Sequence, residues 1–217
     1  MLSTLAIALT LAAPQSEPEL RYNGAFVGVG VFGGASILQD EGWDSPVGGV
    51  TGVYGRLASV LSLVDVQLEY AWSRNGANVR GREFTDLRFE RHGLGMSVNL
   101  HPMFLSVLGG DWASYALSAA YAQIGLSTEF TSFRSDSEPQ RDQDDTAFSL
   151  HFGAGIDVPL GDASGASAFW LGLSWRWKFV YLDPPRFSTG DQPNETNTHS
   201  VVLAFSYRYQ SLNFWEM

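Results

Sequence analysis

Ser149 and His151 stand two residues apart, the spacing that brings a hydroxyl and an imidazole to one face of an extended chain. Glu69 is a carboxylate that could orient such a histidine, and the three together would perform nucleophilic hydrolysis. The competing reading is packing with hydrogen bonds inside a fold, where polar groups find partners. His199 and Ser200 are adjacent, so in a strand they point to opposite faces and cannot share a site. The four His show no paired metal-ligand spacing, and there is no Cys to supply a thiolate or a disulfide. The acidic stretch Asp136-Ser137-Glu138 with Asp142-Gln143-Asp144-Asp145 offers oxygens for Ca²⁺. It lacks the Gly and terminal Glu of an EF-hand loop, so a solvated loop is the better reading. Asn194-Glu195-Thr196 matches a glycosylation sequon and carries no weight without a secreted eukaryotic context. These residues assign no catalytic, metal or cofactor site.

The elements that hold these side chains are written in strict alternation of apolar with small or polar residues. From Ala168 to Tyr181, Phe169, Leu171, Leu173, Trp175, Trp177, Phe179 and Tyr181 share one face. Trp170, Gly172, Ser174, Arg176, Lys178 and Val180 share the other. The stretches 146–160, 64–73, 201–210 and 27–32 repeat the design, and 48–61, 87–100 and 115–130 follow it less regularly. That makes eight strands. The connections 38–46, 74–86, 131–145 and 182–198 are polar, whereas 59–63 and 161–167 are short. Long loops at one end and short turns at the other are expected of an up-and-down membrane barrel. The connection 101–111 departs from this rule, because Pro102-Met103-Phe104-Leu105-Ser106-Val107-Leu108 is apolar.

Met1 to Ala13 is apolar and uncharged, and the first charged side chain is Glu17. A membrane-spanning helix needs roughly 20 apolar residues, so this run is too short. It reads as a secretory signal over 1–16, cut near Ala13 to Ser16, ahead of a single barrel domain at 20–217. The competing reading is an N-terminal core helix of a soluble domain. A net charge of −10 with no basic run argues against nucleic acid as a partner.

Size decides which face points inward. The interior of an eight-stranded barrel is just wide enough to be filled by side chains, and so many aromatics cannot all enter it. Glycine weakens a strand unless close packing needs it, so Gly28, Gly30, Gly153, Gly155 and Gly172 belong beneath a crowded interior. The apolar faces are therefore expected to meet lipid. Tyr70 with Trp72, Trp112 with Tyr115, and Tyr207 with Tyr209 fall near strand ends, as interfacial girdles do. The expected lumen holds Arg56, Asp65, Gln67, Glu69, His151, Asp157, Arg176, Lys178 and Arg208. Charges in so dry a space must pair or meet water.

The closing strand Ser200-Val201-Val202-Leu203-Ala204-Phe205-Ser206-Tyr207-Arg208-Tyr209 ends an alternating run in aromatics. With the architecture above, it resembles the small outer-membrane β-barrels, the OmpA-like transmembrane domains and OmpX-like eight-stranded barrels. Members usually stop at that aromatic, whereas this chain continues through Phe214-Trp215-Glu216-Met217. The resemblance implies an all-β, eight-stranded, antiparallel, up-and-down transmembrane barrel in a Gram-negative outer membrane. It implies as partners outer-membrane lipid, lipopolysaccharide, the barrel-assembly machinery and a surface ligand at the loops. Both termini would be periplasmic. The expected role is structural or surface-interactive and not enzymatic, with a lumen plugged by a polar and ionic network. The alternatives are a narrow ion or small-solute channel, and a lipid-modifying enzyme. Outer-membrane lipid A deacylases pair a His and a Ser two apart, but Ser149 and His151 come in reverse order and face the expected lumen. A third alternative is a soluble, lipocalin-like carrier.

Overall fold

The computed structural model describes residues 25–39, 47–58, 64–76, 87–102, 120–135, 142–160, 167–181 and 197–212. Eight strands account for almost all of them. They are β1 (Ala25–Leu38), β2 (Val47–Ala58), β3 (Val64–Gly76), β4 (Leu87–Leu100), β5 (Ala120–Ser135), β6 (Gln143–Leu160), β7 (Ser167–Tyr181) and β8 (Thr198–Leu212). Each pairs antiparallel with its neighbours in sequence, and β1 pairs with β8, so the sheet closes on itself. Closure gives every strand two hydrogen-bonded neighbours and leaves no edge, the condition for strands in hydrocarbon.

The pairings also set the stagger. Stepping from Gly28 through Arg56, Gln67, Ser97, Gly125, His151, Lys178 and Thr198, each the partner of the one before, returns to β1 at Leu38, ten residues along. With about 3.3 Å per residue and about 4.8 Å between strands, that stagger tilts the strands roughly 40° from the barrel axis.

Burial follows the alternation. In β3, Asp65, Gln67, Glu69, Ser73 and Asn75 are buried, while Val66, Leu68, Tyr70 and Trp72 are exposed. The same inversion runs round the barrel, with Val29, Val53, Leu94, Leu126, Phe148, Leu173 and Leu203 all turned outward. The girdle pairs Tyr70 with Trp72 and Tyr207 with Tyr209 also face out. Trp112 and Tyr115 lie outside the described residues, as do the stretch 1–16 expected to be a leader, the apolar run 103–108 and the tail 213–217.

Interior glycines make room for large neighbours. A Cβ on Gly30 would lie 2.6 Å from the Tyr54 ring, and one on Gly52 would lie 2.5 Å from the Phe32 ring. Phe32 and Tyr54 pack there with Ala71 and Val202, a small apolar cluster inside an otherwise polar barrel. The expectation that bulky residues face lipid therefore holds for the regular outer rows but needs one correction. Phe26, Phe32, Tyr54, Phe89, Tyr121, Phe133 and Trp170 are buried.

The strands also run further than the polar connections suggested. Residues 74–76, 131–135, 143–145, 167 and 198 are strand, not loop. Beyond the bilayer a lipid-facing row turns polar without losing its backbone pairing. Outward Arg74 faces Glu90 across β3 and β4 at 3.4 Å, and Arg134 of β5 bridges Asp144 at the start of β6. Composition marks the edge of the membrane, not the end of the strand.

Candidate functional site in the barrel lumen

Two ends can be distinguished. The connections 39–46, 77–86, 136–142 and 182–197 leave one end, and both chain termini leave the other. The interior is built in layers between them.

At the terminus end, Arg56 of β2 joins two carboxylates. Its Nη1 donates to Asp157 Oδ2 at 2.6 Å and its Nε to Asp65 Oδ1 at 2.9 Å. Arg208 of β8 donates to the same Asp157 oxygen at 2.5 Å. Asn99 donates to Asp65 at 2.7 Å, and His101 Nε2 lies 2.7 Å from its other oxygen. Aromatic faces complete the shell, with the Arg208 guanidinium 4.4 Å from the Trp170 ring centroid and that of Arg56 5.1 Å from Tyr121. Two cations and two anions here face each other fully desolvated. Removing one member of such a set strands its partner's charge, at a cost of about 3–5 kcal/mol.

In the middle layer, Arg176 Nη1 donates to Glu69 Oε2 at 2.8 Å, and Gln67 donates to the same oxygen at 2.7 Å. Gln123 donates to Ser97 at 3.0 Å. Towards the loop end, Glu129 Oε1 accepts from Lys178 at 2.7 Å, Ser127 at 2.5 Å and Ser149 at 2.9 Å. Arg91 reaches Thr198 at 2.9 Å and Ser73 at 3.3 Å, with Glu129 Oε2 at 3.8 Å. Stacked Phe89 and Phe133, ring centroids 4.6 Å apart, sit above this layer.

Every side chain expected in the lumen is inside it. Arg56, Asp65, Gln67, Glu69, His151, Asp157, Arg176 and Arg208 are buried, and Lys178 is partly so. Ser149 and His151 do share the interior face of β6, but the geometry does not join them. Ser149 bonds to Glu129 and lies 2.6 Å from Ser127, and Glu69 is taken by Arg176 and Gln67. Neither ring nitrogen of His151 has a hydrogen-bond partner among the described residues. His199 and Ser200 face opposite ways as expected. His199 stacks on Trp175 and Trp177 outside, and Ser200 lines the interior.

Sequence reading passed over Arg91, Glu129 and His101. The first two belong to segments whose alternation is interrupted, but parity would have found them. Arg91 falls in step with Gly93, Gly95, Ser97 and Asn99, and Glu129 with Tyr121, Gln123, Gly125 and Ser127. His101 keeps the same step two residues past Asn99, but it lies one residue beyond the end of β4.

A closed sheet that is apolar outside and ionised within defines a barrel that spans an outer membrane by its strands. A family profile described as outer membrane protein beta-barrel domain matches residues 1–209, and the chain belongs to that family. It is a multi-strand barrel of the Gram-negative outer membrane. Its fold is similar to that of Ail, the attachment invasion locus protein of Yersinia pestis, solved with the heparin analogue sucrose octasulfate. That likeness has 14% identity, 86% of this chain, 99% of that one and a TM-score of 0.50. A second Ail structure gives 13% identity, the same coverage and a TM-score of 0.49. Neisserial surface protein A gives 12% identity, 86% and 97% coverage and a TM-score of 0.44. No curated protein matches the sequence.

Proposed function

We propose that this protein is a non-enzymatic outer-membrane barrel whose own side chains plug its lumen and whose loop end faces outward to meet surfaces or ligands. The observation that carries the plug is the run of ion pairs through the interior, from Arg208–Asp157 and Arg56–Asp65 to Arg176–Glu69 and Lys178–Glu129. A conducting path would have to part several of these pairs at once. The non-enzymatic reading is supported by Ser149 bonding to Glu129 and Ser127 instead of to His151, so the hydroxyl–imidazole pair of a hydrolase is not formed. Four polar connections at one end support contact outside the cell, while outward leucines and aromatics meet lipid and the acyl chains of lipopolysaccharide. Ail was solved with a heparin analogue, which makes a sulfated glycan a first probe for the loop end, although a net charge of −10 opposes any polyanion.

The test is planar-bilayer recording of the purified full-length barrel. Silence at neutral pH and moderate salt is the expected result. Reproducible unitary conductance steps would replace the plug with a narrow channel.

A further inference from the structure

The two charged ends of the lumen are not equivalent. At the terminus end, Arg56 and Arg208 balance Asp65 and Asp157. Towards the loop end, among the described residues, three cations, Arg91, Arg176 and Lys178, face two carboxylates, Glu69 and Glu129. Among these residues one positive charge is left over, on side chains that are buried or, for Lys178, partly so. An uncompensated charge in so dry a place is costly.

Hydrogen bonding repeats the imbalance. Glu129 Oε1 and Glu69 Oε2 already accept from Lys178, Ser127, Ser149, Arg176 and Gln67. On the donor side, Arg91 Nη1 and Arg176 Nε have no hydrogen-bond partner among the described residues, nor does the ring N–H of His151; one acceptor of the middle layer, Gln123 Oε1, is also without one. Arg91, Arg176 and His151 are each at least nine-tenths buried. All three side chains line one cavity of about 30 Å³, together with Lys178, Ser200 and the carboxylates Glu69 and Glu129, so that its charged lining carries one more cation than anion. That volume holds about one small ion or water.

We propose that this cavity is a binding site for a small monovalent anion, of the size and charge of chloride. A cation is disfavoured by the three positive neighbours. A water would satisfy a donor but leave the extra charge in place, whereas a halide answers both deficits. The site is independent of what the loops bind, and it makes the anion a component of the interior network.

Crystals of the full-length barrel grown in sodium bromide test it. The expected result is an anomalous peak in the cavity within hydrogen-bond reach of Arg91 and Arg176. An ordered peak without anomalous signal is water and overturns the proposal, as does an empty map. In detergent solution the urea unfolding midpoint is expected to rise with chloride and bromide. A ligand bound only by the folded state adds an equal increment for each tenfold rise above its dissociation constant. Gluconate, too large for the cavity, at matched ionic strength should give no rise, and superimposable chloride and gluconate curves would also overturn the site. Arg91→Gln brings the layer to charge balance and should abolish the chloride response. If that variant does not fold, the bromide map of the unaltered protein decides.

Discussion

Asp157 shows what a single residue does inside this barrel. It accepts from Arg56 of β2 and Arg208 of β8, so one carboxylate ties together strands far apart round the sheet. Replacing it leaves two buried guanidinium groups short of an anion. Asp157→Ala is expected to lower the unfolding free energy by about 3–5 kcal/mol, read from urea titrations of the refolded barrel. A loss below about 1 kcal/mol would mean that water reaches this layer and screens it. Asp157 and its partners were legible in the sequence as charges that each fall on the small-residue face of their own strand. Which carboxylate meets which cation was not, because Asp157 stands 101 positions from Arg56 and only closure brings them together.

At the scale of the strand, one row of side chains meets hydrocarbon and the next meets the lumen. Leu203 and Leu173 are register partners on the lipid face of β8 and β7, both about half exposed. A charge there would stand in the bilayer, whereas Ser132 sits beside Arg134 where the outer row has already turned polar. Leu203→Arg is expected to cost about 2–4 kcal/mol in lipid vesicles and Ser132→Arg about 0–1 kcal/mol. Equal costs would show that the polar end of β5 is as deep in the membrane as the middle of β8. The alternation marked all eight strands, but it stopped short at 131–135 and 143–145 because polarity there reflects water outside the strand and not loss of pairing.

For the whole molecule the open quantity is direction. An even number of strands puts both ends of the chain on one side, and the proposed function needs that side to be periplasmic. The chain has no Cys, so single cysteines report cleanly. Asp144→Cys, exposed at the loop end, is expected to react on intact cells with a maleimide that cannot cross the membrane. Ser167→Cys, at the terminus end, should react only after the outer membrane is permeabilised. The reverse pattern would turn the barrel over and remove the surface role.

The sequence by itself determined the strand count, the lipid-facing rows and most of the charged residues that enter the lumen. Each of these depends on parity along a single strand, and parity is a local property. Tertiary structure alone decided the stagger of ten that returns Gly28 to Leu38, the partners chosen by each charge and the aromatic rings admitted to the centre. It also separated a balanced layer at one end from an unbalanced one at the other. Those depend on distances across the barrel, which exist only once the eighth strand has met the first.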